Sequence, residues 1–340
     1  MSNIDFYMPA EWVTHERTFI EWPVRESMIH MENYELVCED YAKVAKAIAQ
    51  FEPVTMIVNE NTRNKAQKMC GEQIEYLAIE HSDAWCRDSG PTFVLNGEHK
   101  IDGINWQFNA WGGKYLPYDL ENEVAGKILN SYKVPILESA IILEGGSIHV
   151  DGEGTLLTTK ECLLNKNRNA SLSQADIENE LRDKLNISKI IWLEKGLAGD
   201  ETDGHVDNVA CFARPGVILL QTCIDTEDAN YDITLQNLET LNTATDAKNR
   251  KIEIIEIPQP PARYYEGERL TLSYLNFYMV NGGIILPVFG KDASQSDEKA
   301  IEILQKVFPD RNIVPVNTSI LITEGGNVHC ITQQMPKGIR

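Results

Sequence analysis

The stretch EGGNVHCITQQ (residues 324–334) begins almost as the earlier stretch EGGSIHVDGEG (residues 144–154) does. Placing one above the other brings these residues into register: Pro135 with Pro315, Ser139 with Ser319, His149 with His329, and Val150 with Cys330. A shared order of prolines, serines and histidines indicates an internal repeat. The repeat predicts that the chain is built from similar structural units.

Three more segments place polar or acidic residues before a Gly-containing turn and an apolar strand. They are DAWCRDSGPTFVLN (83–96), TDGHVDNVACFARPGVILL (202–220) and SYLNFYMVNGGIILPVFG (273–290). With the two EGG segments they make about five units of about 50 to 70 residues, a pattern typical of radial repetition around a centre. We therefore expect the units to be arranged around an axis.

Short β-rich runs alternate with amphipathic helical patterns along the chain. The runs predicted as strands are VTMIV (54–58), PTFVLN (91–96), EGTLLTT (153–159), KIIWLE (189–194), PGVILLQT (215–222), IEIIEI (252–257), GGIILPVFG (282–290) and NIVPV (312–316). The predicted buried faces of helices are Val37, Tyr41, Val44 and Ile48; Ile177, Leu181 and Leu185; and Ile301, Leu304 and Phe308. A Ser294-x-x-Asp297 capping pattern is expected to open the last helix. The class is therefore α/β or α+β, and since no Pro- or Ser-rich linker divides the chain, we expect one domain over residues 1–340.

Composition narrows the class of protein further. A net charge of −20 argues against a nucleic-acid partner, because such affinity comes mainly from Lys and Arg. An acidic field favours a cationic ligand, but excess charge more often serves only solubility until a site is found. The seven cysteines form no C-x-x-C pair, which suits reduced thiols. With neither a secretion signal nor a long apolar segment, we expect a cytoplasmic protein without a membrane partner.

Cys330 is a candidate for chemistry because the other copy of the repeat accepts valine at the equivalent position. Taken alone, a single cysteine is more often a small buried hydrophobic residue. The adjacent His329 is expected to be structural, like His149, since neighbours on an extended strand face opposite sides. A nucleophilic cysteine needs a base, and His205 and Asp207 are two residues apart and would share one face of an extended segment.

The His205-x-Asp207 pair could instead chelate a metal ion. No second pair of His or Cys residues with ligand spacing accompanies it in the sequence. We therefore predict that no metal ion binds here. The preferred interpretation is that His205 and Asp207 serve a nucleophilic cysteine.

The stretch HSDAWCRDSGP combines Asp83, Trp85 and Asp88 ahead of a Gly-Pro turn. A charge-rich loop is most often only solvated, but an aromatic ring between carboxylates suits a flat cation. Glu144 precedes a Gly-Gly pair that lets the backbone approach a ligand closely. A guanidinium group is the natural target, because it presents a planar fork of N–H donors and leaves its central carbon open to a thiolate.

At these residues the sequence resembles the agmatine deiminases (agmatine iminohydrolases) of the guanidine-modifying, or pentein, superfamily, which are related to bacterial-type peptidylarginine deiminases. The strings that carry the resemblance are MPAEW, WPVR, DAWCRDSGPTF, WQFNAWGGKY, EGGSIHVDGEGTLLTT, TDGHVDN, SYLNFY and EGGNVHCITQQ, which run through nearly the whole chain. The resemblance implies a pentein fold, a five-bladed α/β propeller of ββαβ-type units with pseudo-fivefold symmetry.

The resemblance also implies the roles of the site residues. Cys330 would attack the guanidinium carbon and form a covalent amidino-cysteine intermediate. His205 would protonate the departing ammonia and then activate water, with Glu144 holding a guanidinium nitrogen and orienting the imidazole. Asp88 and Asp207 would bind the guanidinium nitrogens. The products would be N-carbamoylputrescine and ammonia, with no metal or organic cofactor.

Substrate recognition follows less directly from the sequence. By resemblance, Trp85 would line the substrate slot, and Glu201 falls where the family has an acid near the distal amine of the substrate. A free arginine would require a basic residue for its carboxylate, for which Arg25 is the candidate. Peptidyl-arginine is a further alternative substrate, and a catalytically silent binder of agmatine or polyamines is the alternative of another class. A homo-oligomer is expected from the resemblance alone.

Overall fold

The computed structural model describes residues 6–339. Within that range the strands are β1 (Phe6–Tyr7), β2 (His15–Glu21), β3 (Val54–Val58), β4 (Glu75–Ala78), β5 (Thr92–Asn96), β6 (Ile101–Gln107), β7 (Ile136–Ile142), β8 (Ile148–Val150), β9 (Thr155–Thr159), β10 (Lys189–Leu193), β11 (Ala210–Arg214), β12 (Val217–Thr222), β13 (Glu253–Pro258), β14 (Tyr264–Tyr265), β15 (Glu268–Arg269), β16 (Tyr278–Val280), β17 (Gly283–Val288), β18 (Asn312–Asn317) and β19 (Thr332–Pro336). All eight strands predicted from the sequence coincide with observed ones to within a few residues.

The α-helices are α1 (Tyr34–Ile48), α2 (Arg63–Cys70), α3 (Cys86–Ser89), α4 (Ala110–Gly113), α5 (Glu121–Tyr132), α6 (Lys160–Leu163), α7 (Lys166–Asn169), α8 (Gln174–Leu185), α9 (Asn230–Thr243) and α10 (Ser294–Val307). The three predicted helices correspond to α1, α8 and α10. Their predicted apolar faces pack inward because residues three and four apart lie on one side of a helix. None of the helices described has the length and apolar content needed to cross a bilayer.

One predicted helix cap is wrong, although α10 does begin at Ser294. The Ser294 hydroxyl donates to the carbonyl of Lys291 and caps nothing, while the Asp297 carboxylate accepts from the Tyr274 hydroxyl and the Gly290 N–H. Asp297 therefore holds α10 to the preceding loop. A complete capping box is found instead at α8, where Ser173 and Asp176 satisfy each other's backbone N–H groups.

Five sheets repeat one connectivity. In each, a first strand pairs antiparallel with a second, and the second pairs parallel with a third after a helical crossover. The core triplets are β19-β2-β3, β5-β6-β7, β8-β9-β10, β11-β12-β13 and β16-β17-β18, with crossover helices α1, α5, α8, α9 and α10. Strands β1 and β4 extend two of these sheets at an edge. The predicted α/β class and the ββαβ unit are confirmed.

Burial separates the third strand from the other two strands of a unit. The first strands β19, β8 and β16 are buried along their whole length, and the second strands β9 and β12 are buried throughout as well. The third strands β7, β13 and β18 each carry exposed residues. First strands of neighbouring units contact each other, β8 with β11 and β19 with β5, so the first strands lie on the side of each sheet where the units meet.

The last strand, β19, pairs with the second strand, β2, in one sheet. Thr332 lies opposite Ile20, and Met335 lies opposite Arg17, so the last strand completes the first unit. The seven cysteines are all free and buried, which confirms the prediction of unpaired thiols.

Candidate active site

The candidate catalytic residues all lie just before the first, innermost strand of a unit. Each of the five units supplies one such turn: Asp88 before β5, Glu144 before β8, His205 and Asp207 before β11, Asn276 before β16, and Cys330 before β19. Contacts join each turn to the next: Gly146 to Asp88, His205 to Glu144, Asn276 to Asn208 and to Cys330, and the Arg87 N–H to the Cys330 carbonyl. The repeated connectivity thus brings together residues that are far apart in the sequence.

Cys330 lies in a turn, with the strand β19 beginning only at Thr332. The expectation that His329 and Cys330 are neighbours on an extended strand is therefore wrong, and the valine equivalent, Val150, does lie in a strand. The thiol sulfur lies 3.2 Å from the Asn276 Nδ2 and 3.7 Å from the Asp207 Oδ2. Burial, together with the carboxylates of Asp207 and Asp88, raises the pKa of the Cys330 thiol well above its ordinary value.

His329 holds the Asp207 carboxylate in place by a hydrogen bond, as expected from the sequence for a structural histidine. Its Nδ1 lies 2.9 Å from the Asp207 Oδ2, and its Nε2 lies 2.9 Å from the Glu11 Oε2. Although burial opposes ionisation, the bond with His329 lowers the pKa of Asp207. Asp207 is therefore an anion whose second oxygen, Oδ1, has no hydrogen-bond partner among the described residues.

His205 lies between two carboxylates and is fully buried. Its Nδ1 is 3.9 Å from the Asp88 Oδ2, and its Nε2 is 3.8 Å from the Glu144 Oε2. Burial opposes a charge on the ring, but the Asp88 carboxylate outweighs it and raises the pKa of His205 well above the ordinary value. An imidazolium in this place can donate a proton to a leaving amine.

Asp88 is oriented by two donors. Trp111 donates its indole N–H to Oδ2 at 2.9 Å, and Gly146 donates its backbone N–H to Oδ1 at 3.0 Å. Burial raises the pKa of Asp88, and the nearby His205 ring acts in the opposite direction, lowering this pKa in part.

The second glycine of each EGG string lets the backbone approach the site. A β-carbon on Gly146 would lie 2.6 Å from the His205 Nδ1 and 2.9 Å from the Asp207 Oδ2. One on Gly326 would lie 2.4 Å from the Trp85 ring and 3.1 Å from the Cys330 Cβ. Any side chain at either place would displace a site residue, which explains why both copies of the repeat have glycine there.

Glu144 is held by Arg168, a residue that the sequence reasoning missed. Arg168 donates its Nε–H to the Glu144 Oε1 at 2.7 Å, and both side chains are fully buried. Burial opposes ionisation, yet His205 and Arg168 together lower the pKa of Glu144. Arg168 also donates to the Asp203 carboxylate and the Thr202 carbonyl, so it ties Glu144 to the loop that carries Glu201.

The sequence analysis also missed Asn276 and Trp111 as site residues, although each lies in a stretch that the sequence analysis had singled out. Asn276 occupies, in the SYLNFYMV unit, the position before the inner strand that holds Cys330 or Asp88 in other units. Trp111 lies in the WQFNAWGGKY string. The link from Arg168 to Glu144 had no sequence signal, because it joins segments that only folding brings together.

A cavity opens onto Cys330. Its wall includes Trp85 and four acidic residues, Asp83, Asp88, Glu201 and Glu324, and no Lys or Arg is among the described residues that line it. His205, Glu144 and Asp207 lie behind this wall, where they contact Asp88 and Cys330. The negative charge of the cavity wall therefore favours a cationic ligand, with the Cys330 thiol at one side of it.

Three of the buried groups could also ligate a metal ion. Glu144, Cys162 and His205 each offer one donor atom, and these atoms lie within 4.8 Å of one another. The Arg168 guanidinium, 2.7 Å from Glu144, opposes a second positive charge there. A second group, with two exposed members, comprises His30, Glu32 and Glu266. The absence of a metal stays a prediction.

The family model of Porphyromonas-type peptidyl-arginine deiminases matches residues 7–336, which includes every residue of this site. The chain belongs to this family. Among curated proteins, it is 44% identical to agmatine deiminase of Pseudomonas aeruginosa, over 97% of this chain and 95% of that protein. It is 40% identical to agmatine deiminase of Medicago truncatula, over 97% of this chain and 96% of that protein.

Solved structures of the family superpose closely on this deiminase-family chain. Agmatine deiminase of Enterococcus faecalis matches with a TM-score of 0.93 at 36% identity, covering 98% of this chain and 97% of that one. A variant agmatine deiminase of C. jejuni, solved with substrate bound, matches with a TM-score of 0.90 at 30% identity, covering 98% and 97%.

In this family member, Cys330 is expected to be a neutral thiol before substrate binds. Since burial and two carboxylates raise its pKa, its thiolate fraction falls below that of a free cysteine at neutral pH and grows as the pH rises. Alkylation of Cys330 by iodoacetamide, followed by mass spectrometry of its peptide, should still accelerate above about pH 9, past the range of a model thiol. A rate that levels off below pH 8 would instead show a thiolate already paired with His205.

Proposed function

We propose that this chain hydrolyses agmatine to N-carbamoylputrescine and ammonia. The observation that carries the proposal is the cavity that places the Cys330 thiol among four carboxylates, with no basic side chain among the described residues that line it. A guanidinium group at one end of the ligand and an ammonium group at the other would both find anions there. The close sequence relatives named above support the same activity.

Cys330 is the nucleophile in this proposal, and Asp88 and Asp207 hold the guanidinium. The positive charge of the bound guanidinium offsets the two carboxylates, which lowers the pKa of the thiol and favours the thiolate. Sulfur then forms a bond to the central carbon, and the tetrahedral adduct loses one nitrogen as ammonia. The proton on that nitrogen comes from the His205 imidazolium.

His205 acts again in the second half of the reaction. As a neutral ring it accepts a proton from the water that attacks the amidino-cysteine carbon, and the C–S bond breaks to release the ureido product and the thiolate. Glu144, held by Arg168, lies 3.8 Å from the His205 Nε2 and orients the ring for both proton transfers.

The same cavity favours agmatine over free arginine. The α-carboxylate of arginine would lie among carboxylates, and Arg25, the residue considered for it, is exposed and stacks over the Tyr34 ring instead of lining the cavity. Like charges brought together cost several kcal/mol, so we expect kcat/KM for agmatine to exceed that for arginine by at least about 100-fold.

The test measures ureido product without added metal on agmatine, free arginine and an arginine peptide side by side. Equal turnover of arginine would contradict the substrate assignment, and turnover of the peptide alone would point to peptidyl-arginine. Binding of agmatine without turnover would identify a silent binder.

The proposal includes a single catalytic domain over residues 1–340, because the last strand completes the first unit. It also includes a cytoplasmic location, since seven unpaired cysteines suit a reducing compartment. A homo-oligomer remains part of the proposal through family resemblance.

A further inference from the structure

Glu324 is the first residue of the second EGG string and the counterpart of Glu144 in the repeat. Its side chain is buried, with only 5% of the residue exposed. The Oε2 atom accepts the backbone N–H of Ile29 at 2.7 Å and that of His30 at 3.3 Å. The Oε1 atom is also buried but has no hydrogen-bond partner among the residues that the structure describes.

Glu324 belongs to an acidic group that is separate from the cluster around Cys330. Its negative charge acts on both Asp83 and the Tyr115 hydroxyl, and Glu201 also lies close to Tyr115. The side chain of Glu201 approaches the next residue of the string, since a β-carbon on Gly325 would lie 3.5 Å from the Glu201 Cγ. All four of these side chains line the same cavity as the thiol.

This acidic group has a deficit of positive charge. Burial raises the pKa of Glu324, and burial likewise raises the pKa of Asp83 to about 7. No Lys or Arg lines the cavity among the described residues, and the groups that act against the raised pKa of Glu324 are the backbone N–H groups of Ile29 and His30 and the His30 imidazole. A buried carboxylate oxygen without a donor is costly to the fold, and a cationic N–H donor from a ligand would remove that cost.

We propose that the Glu324 Oε1 binds the terminal ammonium group of the substrate. The inference rests on the proposed function, since it assigns a ligand to the end of agmatine that does not react. The two glutamates of the repeated string then divide the substrate between them, Glu144 serving the guanidinium end and Glu324 the ammonium end. Glu324 is a specificity residue that touches the substrate and takes no part in bond breaking.

Glu201, the residue implied by the family resemblance, is less suited to be the main ligand. It is exposed, and its Oε2 already accepts from the Tyr115 hydroxyl at 3.3 Å. A charge in contact with water contributes little to binding, whereas a desolvated carboxylate contributes more. Glu201 therefore adds to the field at the cavity, and Glu324 supplies the direct bond.

The experiment compares Glu324→Gln and Glu201→Gln on two substrates. One is agmatine, and the other is n-pentylguanidine, in which a methyl group replaces the ammonium group. Glutamine can still accept the Ile29 and His30 N–H groups through its carbonyl oxygen, so the fold around residue 324 is kept.

We expect Glu324→Gln to lower kcat/KM for agmatine by about 20- to 100-fold, the usual range for a lost charged hydrogen bond. The same variant should stay within about threefold of the parent on n-pentylguanidine, because no charged bond to that substrate is lost. Glu201→Gln should cost less than about fivefold on agmatine, as for other exposed ion pairs.

An equal loss on both substrates would show that Glu324 is only structural and would overturn the proposal, as would an unchanged rate on agmatine. If the parent protein forms no ureido product at all, the proposed function fails separately. Calorimetric titration of agmatine into the parent and Glu324→Gln proteins then decides the subsite: weaker binding to the variant supports it, and equal binding overturns it.

Discussion

Replacing Cys330 with alanine is expected to lower kcat for agmatine by at least about 10⁴-fold, as removal of a nucleophile does in other enzymes with covalent intermediates. The thiol is the only described cysteine sulfur that lines the cavity. Without it no C–S bond can form, and the remaining carboxylates can bind the guanidinium but cannot split it. The assay is ureido product formation under single-turnover conditions.

Binding separates the loss of chemistry from the loss of structure in this variant. Titration calorimetry with agmatine should show affinity close to that of the parent, because the carboxylates and Trp85 are unchanged. Cys70→Ala is the matched control, since Cys70 is a fully buried cysteine at the end of α2 that does not line the cavity. A Cys330→Ala protein that turned over agmatine at the parental rate would contradict the mechanism.

Replacing Asp88 or Asp207 with asparagine should be the next most damaging change. Each substitution removes one anion from a desolvated guanidinium, and leaving a buried charge without its partner costs about 3 to 5 kcal/mol. On that basis we expect each variant to lose about 10²- to 10⁴-fold in kcat/KM. The two losses differ in origin, because Asp207 also faces the thiol, whereas Asp88 faces His205.

The control for these two variants is Asp151→Asn. Asp151 is also buried, but its carboxylate accepts the backbone N–H groups of Glu153 and Thr155 in a turn after β8. The Asp151→Asn substitution should lower the free energy of unfolding and leave kcat/KM for agmatine nearly unchanged. Losses of tenfold or less at both Asp88 and Asp207 would argue against a clamp of two carboxylates around the guanidinium.

Much of the fold could be predicted from local pattern. VTMIV is observed as β3 with the predicted bounds, since a buried run in which four of the five residues are β-branched favours a strand. Short inner strands such as β8 and β16 were not predicted. Each has three residues, which are too few to show the alternation of apolar and polar positions that indicates a strand. The capping pattern predicted for α10 is absent because Asp297 finds its partners in Tyr274 and Gly290, outside the helix.

The sequence by itself determined the five-unit repeat, the glycines of both EGG strings and the identity of Cys330 as the residue that departs from the repeat. These are properties of local pattern and of comparison between copies. Only the tertiary structure decided which groups meet: Arg168 with Glu144, Asn276 with Cys330, and Glu324 with the other acidic residues of the cavity wall. The physical reason is that hydrogen bonds and charge pairs act over a few ångströms, and the residues that make them come within that range only when five inner strands pack around one centre.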